Sequence, residues 1–517
     1  MTPQPTAPDP TTLKPADLVN GTWIPLTGDA ITSTSPANPA DVLWQGSPVT
    51  SHANDAVAAA RAALPKWSAW SIDRRIDALQ KFKAIAAERA DALADLISLE
   101  TGKARWECTG EANLIAGKVD ITLEQGPDTG RQRVSGFEFS MGQSKAASCW
   151  FRPHGVMTVI GPFNFPAHLP NGHIIPALLM GNTIVFKPSE KTPAVGQFLA
   201  QMYHDALTAA DAPTGVFNLV HGAVEVSKAL TAHPDADGVL FTGSWPVGRA
   251  ILEANLDHPG KIVALEMGGN NAAVIMDDAD LHQAVAECVR CAFITTGQRC
   301  TCTRRVIVHE KVADKVIAAI VRSAQSIVVD EPNASPVFMG PIISEQSRQA
   351  VFDFQSRLAS SGGEVLVEST PVPGRDGWYL TPSVVKVPGF STDRDDCGCD
   401  EEVFGPLLRV SVVGSLDEAI EQANATRYGL ASSIFTADTA AADRFRGEAR
   451  AGCVNVNCGT AGASSKLPFG GLGWSGNHRP AGAFSLDYCA FPIAGMTEKS
   501  DAATIPQGMT LDPDWLK

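Results

Sequence analysis

The chain has 517 residues, with 41 Lys+Arg against 56 Asp+Glu and a formal net charge of −15. At roughly 150 residues per domain this is about three domains' worth of chain, a prior and not a count. An acidic balance with no offsetting Lys/Arg cluster argues against a nucleic-acid partner, and 44% hydrophobic with 19% charged residues argues against disorder of the whole.

The first twenty residues, MTPQPTAPDPTTLKPADLVN, carry neither an apolar core nor an Arg-rich amphipathic face. They read as a Pro/Thr tail (1–17), not as a signal or transit peptide. No stretch approaches the roughly 18 uninterrupted apolar residues of a spanning helix, so no membrane partner is expected. Eleven cysteines are an odd number and sparse, which fits free thiols in a reducing cytoplasm.

In chain order, 52–102 reads as two or three Ala-rich helices and 105–123 as another. Extended-looking pieces at 144–152 and 485–493 bracket what lies between them. Beyond Gly155, β-branched runs alternate with helical stretches. The expected strands are 156–160, 183–187, 216–220 and 238–242, with helices to Leu179, from Pro193 and over 225–232. A second series follows Glu266, with strands at 273–276, 305–309, 364–367, 408–413, 432–436 and 453–457. Such alternation predicts parallel sheets covered on both faces, in two α/β domains in series. The two extended pieces fit a protruding sheet that pairs across subunits, or an ordinary edge hairpin.

Five local motifs carry chemistry. Gly297-Gln-Arg-Cys300-Thr places a thiol in a Gly-led turn between a helix and a strand, where it can face a cleft. A cysteine in an apolar segment is more commonly a core thiol, and Cys302 competes for the role. Leu265-Glu-Met-Gly-Gly-Asn-Asn271 puts Glu266 at the carboxyl end of a strand, where open α/β sheets place ligands; it is a candidate general base or a cap. Pro162-Phe-Asn-Phe-Pro166 holds Asn164 as a rigid amide donor for an oxyanion, or as a turn residue bonding its own backbone. Phe241-Thr-Gly-Ser-Trp-Pro-Val-Gly248 is a strand, a glycine turn and a helix start suited to a phosphate. Phe186-Lys-Pro-Ser-Glu190 offers Lys187 and Glu190 to ribose hydroxyls, and its carboxylate disfavours a 2′-phosphate, so NAD is expected over NADP.

Two further signals are set aside. Gly471-Leu-Gly-Trp-Ser-Gly476 spells a dinucleotide fingerprint but follows no strand and has too little chain behind it. Cys288-x-x-Cys291, Cys300-x-Cys302 and Cys397-x-Cys399 lack the spacing of a zinc site; no metal is expected.

The five motifs in this order resemble those of the aldehyde dehydrogenase superfamily, as do Glu402-Val-Phe-Gly-Pro406 and Pro468-Phe-Gly-Gly471. The resemblance covers nearly the whole chain after residue 20. It implies a discontinuous NAD-binding domain (18–140 and 156–266), a catalytic domain (267–482), oligomerisation strands (141–155 and 483–500), a C-terminal tail (501–517), and a homodimer or homotetramer. It implies Cys300 as nucleophile, Asn164 with the Cys300 backbone N–H for the oxyanion, and Glu266 to activate water. The cofactor would meet Lys187 and Glu190 at the adenine ribose, and Gly243, Ser244, Trp245, Pro246, Val247 and Gly248 at the pyrophosphate. Glu402 beside Phe404 would meet the nicotinamide ribose.

Pro153-His-Gly-Val, Phe165-Pro-Ala-His-Leu-Pro-Asn-Gly-His173, Ser475-Gly-Asn-His-Arg-Pro480 and Asp487-Tyr-Cys-Ala-Phe-Pro492 resemble a branch acting on a succinylated semialdehyde with two carboxylates. Arg105, Lys118 and Arg299 are candidate carboxylate partners, though each singly reads better as a solvated or structural pair. Arg479 resembles a structural arginine, and 457–465 is expected at the substrate mouth. Another carboxylated or aromatic aldehyde is the alternative substrate. A catalytically silent family member is the alternative of a different class.

Overall fold

The computed structural model describes residues 13–125, 129–142, 144–500 and 505–517. Residues 1–12 and 501–504 of the expected tails lie outside the described residues. The chain opens with strands β1 (Ala16–Val19) and β2 (Thr22–Pro25) and a hairpin of β3 (Ile31–Thr34) and β4 (Val42–Gly46). The boundary expected after residue 17 therefore falls inside a strand. Asp17 explains why: its buried carboxylate accepts the His221 backbone N–H at 2.7 Å and faces the rings of His221 and His52. Such a group is stable only where donors meet it, and that ties the segment into the fold.

Four helices follow, α1 (Ser51–Ser68), α2 (Ile72–Glu88), α3 (Ala90–Thr101) and α4 (Arg105–Leu123), as the Ala-rich pattern predicts. The Ser71 hydroxyl accepts the Arg74 N–H at the start of α2, and α3 stops at Gly102, whose φ of 76° is left-handed. After the single turn α5 (Gly130–Arg133) come β5 (Phe137–Met141) and β6 (Lys145–Pro153).

The first α/β series is β7 (Val156–Ile160), α6 (His168–Leu179), β8 (Thr183–Lys187), α7 (Pro193–Ala209), β9 (Phe217–Leu219), α8 (Val224–Thr231), β10 (Gly238–Gly243), α9 (Trp245–Ala254) and β11 (Ile262–Met267). Its strands form one sheet of order β11-β10-β7-β8-β9-β1-β2. All five residues of β7 and of β8 are buried, the two-sided burial expected of parallel strands under helices. Phe82 of α2, Tyr203 of α7 and Phe217 of β9 stack in sequence across the helical face, at 3.9 and 4.9 Å between ring centres.

The second series comprises β12 (Asn271–Ile275), α10 (Leu281–Phe293), β13 (Thr303–His309), α11 (Ala313–Gln325), α12 (Glu345–Ser360), β14 (Glu364–Val367), β15 (Ser383–Lys386), β16 (Leu407–Val413), α13 (Leu416–Asn424), β17 (Ala431–Phe435), α14 (Thr439–Glu448) and β18 (Cys453–Val456). Its sheet runs β14-β15-β16-β13-β12-β17-β18. A short pair, β19 (Pro468–Phe469) and β20 (Ala481–Gly482), precedes β21 (Ala490–Glu498), which joins β6 and β5 in a separate three-stranded sheet of order β21-β6-β5. The architecture is thus mixed α/β with two mainly parallel sheets and a small third one.

One expected strand is displaced. Residues 487–489 form a turn of 3-10 helix, not extended chain, and β21 begins at Ala490. Tyr488 causes the turn: buried, it donates its hydroxyl to the Pro480 carbonyl at 2.8 Å and lies 2.7 Å from the His173 ring.

Candidate active site

The carboxyl ends of the first sheet's parallel strands converge on one rim. Asn164 follows β7, Lys187 ends β8, Gly243 ends β10, and Glu266 is the fifth residue of β11. The second sheet faces this rim with the turn that precedes β13, and Cys300 is on that turn. The paired sheets bring together groups far apart in sequence.

The thiol stands on an unusual piece of backbone. Thr295, Thr296 and Gly297 have φ of 57°, 55° and 70°, three successive left-handed residues of which two are β-branched. Each Thr costs on the order of 1–3 kcal/mol, so the turn persists only because its surroundings hold it. A Cβ on Gly297 would lie 2.2 Å from the Gly405 carbonyl, which leaves glycine as the residue that fits. The Gln298 side chain accepts the Ile343 N–H at 3.1 Å, and the Thr296 hydroxyl donates to the Gly340 carbonyl at 2.9 Å. Asn271 donates to the carbonyls of both Cys300 and Cys302, each at 2.8 Å, fastening the far side.

Cys300 is half-buried, whereas Cys302 is buried and points its thiol at the Ile294 carbonyl, 3.8 Å away. Burial pushes the Cys300 thiol well above its ordinary range; Glu266, Glu402 and Cys302 add to the rise and Arg299 opposes it. The Asn164 amide donates to the Gln298 carbonyl at 2.9 Å, which brings it to the turn that carries Cys300 with its second N–H uncommitted to that bond.

Glu266 is 1% exposed, and neither of its carboxylate oxygens meets a donor among the described residues. Burial alone lifts its carboxyl well above the usual carboxylate range. Its strand is held from the segment between β19 and β20. Gly476 bridges to Glu266, the Asn477 side chain accepts the Leu265 N–H at 2.8 Å, and the Ser475 hydroxyl donates to the Gly268 carbonyl at 2.7 Å. The Gly471–Gly476 run set aside as a cofactor fingerprint is therefore a clamp on the strand that bears Glu266.

Toward a dinucleotide, the residues present fit. No side chain caps α9 at Ser244, which leaves the first amides of a ten-residue helix for phosphate oxygens. A Cβ on Gly248 would stand 2.3 Å from the Met267 sulfur, so glycine lets α9 seat against β11. Ser244, Pro246 and Val247 are exposed, while the Trp245 ring stacks on Trp474 at 5.0 Å. Lys187 is buried and donates to the Gly222 carbonyl at 2.6 Å, with Glu190 at 3.7 Å. Glu402 accepts the Gly269 N–H at 2.9 Å, and burial raises its carboxyl to about 7 against the pull of Arg304. Phe404 meets Phe163 edge-on at 5.8 Å.

The cation candidates separate. Lys118 is buried and spends its ammonium on the Gly482 carbonyl and Ser485 hydroxyl, at 2.9 and 3.0 Å. Arg105 pairs with Asp95, Asp91 and Thr109, and Arg479 donates to the Gly452 carbonyl. Arg299 lies over the Phe165 ring at 5.0 Å and bonds Glu107 and Thr295 through Nη2 and Nε, leaving Nη1 outside those bonds. The 457–465 loop reaches the same place, since Thr460 donates to the Thr301 carbonyl at 2.7 Å. Among the described residues, no group of three or more His, Cys, Asp or Glu is arranged to hold a metal ion.

Asn271, Glu107 and Thr295 are site residues that sequence reasoning passed over. Asn271 lay in the quoted Gly-Gly-Asn-Asn run. The signal for Glu107 was a pair of acids four apart, 107 and 111, on a helix that had to pack.

The sequence matches the profile of the Aldehyde dehydrogenase family over residues 23–490. The chain belongs to that family. Among its relatives is the N-succinylglutamate 5-semialdehyde dehydrogenase of Sphingopyxis alaskensis, 42% identical over 475 residues, 91% of this chain and 95% of that one. N-succinylglutamate 5-semialdehyde dehydrogenase 2 of Caulobacter vibrioides is 44% identical over 92% of this chain and 95% of its own. Of solved structures, an NAD-dependent aldehyde dehydrogenase from Sinorhizobium meliloti superposes with a TM-score of 0.88 at 27% identity, covering 98% of this chain and 99% of that one. PnpE in complex with nicotinamide adenine dinucleotide superposes at 0.86 with 29% identity, over 96% of this chain and all of its own.

Proposed function

We propose that this protein oxidises N-succinyl-L-glutamate 5-semialdehyde to N-succinyl-L-glutamate with NAD. The Cys300 sulfur bonds to the aldehyde carbon, and the oxygen that gains charge is met by the Asn164 amide and the Cys300 backbone N–H. NAD supplies a hydride acceptor when bound at Lys187, Glu190, the 243–248 turn and Glu402 beside Phe404. The aldehyde C–H bond breaks as the oxygen's charge returns to form C=O, and loss of that hydride leaves the acyl group as a thioester on Cys300. Glu266 takes a proton from water, the water oxygen bonds to the acyl carbon, and the C–S bond breaks to free the acid and the thiol.

One observation carries the reaction: a buried carboxylate that meets no donor among the described residues, at the rim shared with a half-buried thiol. A carboxylate kept solely for structure would be bonded. Of the three candidate cations, Arg299 keeps Nη1 outside its bonds to Glu107 and Thr295 and is the one we assign to a substrate carboxylate, which favours an anionic aldehyde over a plain aliphatic one.

We assign the chain from β1 to residue 140, with 156–266, to cofactor binding and 267–482 to catalysis. The sheet of β21, β6 and β5 is assigned to association of two or four copies. All eleven cysteines are free thiols, which supports a reducing cytoplasm, and no described helix is long and apolar enough to cross a membrane. The deciding experiment is NADH formation with the succinylated semialdehyde beside succinate semialdehyde and simple aliphatic aldehydes. The expected result is the highest kcat/KM for the first; equal or better turnover of the aliphatic set would overturn the substrate and leave the reaction.

A further inference from the structure

The strained turn under Cys300 and the segment carrying Asn164 are both held by one face of α4. Glu107, Glu111 and Ile115 recur at four-residue spacing, so they stand one above another along the helix. The Glu107 carboxylate accepts the Thr295 N–H at 3.2 Å, the Thr295 hydroxyl at 2.7 Å and the Arg299 guanidinium at 2.8 Å. One turn on, a single Glu111 oxygen accepts the N–H groups of Ala167 and His168 at 3.2 and 3.1 Å, where α6 begins. The other Glu111 oxygen takes the buried Lys103 ammonium. A further turn on, the Ile115 carbonyl accepts the Asn171 amide at 3.1 Å. The Asn164 amide on Gln298 closes the circuit at 2.9 Å.

We infer that Glu107 and Glu111 are positioning residues, a pair of carboxylates on α4 that fixes the place of the Cys300 thiol relative to the Asn164 amide. Every acceptor position that Glu107 fills belongs to the nucleophile turn, and every backbone donor that Glu111 meets lies within four residues of Asn164. The left-handed backbone at Thr295 relaxes if its N–H and hydroxyl lose their partner, and Cys300 moves with it. The carboxylates sit one helical turn apart, and that rigid spacing becomes the spacing of the two reacting groups. This inference rests on the proposed roles of Cys300 and Asn164.

The test compares Glu107→Gln and Glu111→Gln by two readouts: the rate of Cys300 alkylation by iodoacetamide, located by peptide mass mapping, and the NADH burst rate with a simple aliphatic aldehyde. The aliphatic substrate removes any contribution of Arg299 to carboxylate binding. Glu107→Gln is expected to slow both by about tenfold or more, with KM for NAD unchanged. Glu111→Gln is expected to slow the burst while alkylation stays at the wild-type rate, because it displaces Asn164 and not the thiol. Should Glu107→Gln fail to fold, Thr295→Val gives the same reading, and Thr295→Ser, which keeps the hydroxyl, recovers most of what Thr295→Val loses. Wild-type alkylation and burst rates in Glu107→Gln or Thr295→Val, whatever happens to Tm, overturn the inference. Activity retained in Cys300→Ser would instead sink the proposed nucleophile, and the alkylation rates would still report on the turn.

Discussion

At the scale of single residues, the reaction divides between groups whose environments differ sharply. Cys300 is half-buried beside two carboxylates, while Cys302 is sealed in the core with its thiol on a carbonyl. Cys300→Ser is therefore expected to abolish NADH formation and Cys302→Ser to leave most of it, read in a steady-state assay. Glu266→Gln keeps the shape of the side chain and removes the base. A burst of NADH of nearly normal amplitude followed by slow turnover is the expected trace; an unchanged steady state would refute its role in hydrolysis. Because burial raises the Glu266 carboxyl, hydrolysis should gain rate with rising pH in a range above that of an ordinary glutamate. Glu402 makes a separate pH prediction. In the proposed site it would accept ribose hydroxyls best as a carboxylate, and burial raises its carboxyl to about 7. KM for NAD should rise as pH falls through about 7, and Glu402→Gln should flatten that limb.

At the scale of elements, the proposed cofactor site makes affinity for NAD depend on α9 and its packing. The helix offers uncapped amides only if it seats closely on β11, and Gly248 is the point of contact, with the Met267 sulfur where a Cβ would go. Gly248→Ala should lower stability by about 1–3 kcal/mol through overpacking. It should also raise KM for NAD more than it lowers kcat, measured by denaturant unfolding and initial rates. The loop of Trp474 to Asn477 fixes the other side of this unit. It stacks on Trp245 and pairs with the strand of Glu266, so one loop of the second series holds both α9 and Glu266.

At the scale of the whole molecule, the small sheet is the feature that a single copy leaves unfinished. Phe137, Phe139 and Met141 of β5 are 59, 54 and 46% exposed, and Met496 of β21 is 63% exposed. An apolar edge strand open to water is a liability unless another chain covers it. Phe139→Lys is expected to reduce the mass in solution, by light scattering, from an oligomer to a smaller species. An unaltered mass would place the interface elsewhere.

Much of this protein was determined by the sequence alone. Alternating β-branched and helical runs specified most of the parallel strands of both sheets to within about two residues, because strands buried on both faces are near-continuously apolar, whereas β15 (Ser383–Lys386) escaped that pattern. The glycines and prolines around Asn164, Glu266 and Cys300 marked the turns, since few residue types tolerate them. The N-terminal strands and the place of β21 were less legible. They are fixed by distant partners: Asp17 by histidines at 52 and 221, and Tyr488 by Pro480 and His173. The same limit applied to the site. Arg105, Lys118 and Arg299 are indistinguishable as letters; in space all three are paired with protein groups, and Arg299 keeps Nη1 outside its bonds to Glu107 and Thr295. Glu107 belongs to the nucleophile turn through bonds that span 188 and 192 residues of chain. Sequence pattern encodes local periodicity and turn chemistry; which buried charge meets which donor is decided when the two sheets close on one another.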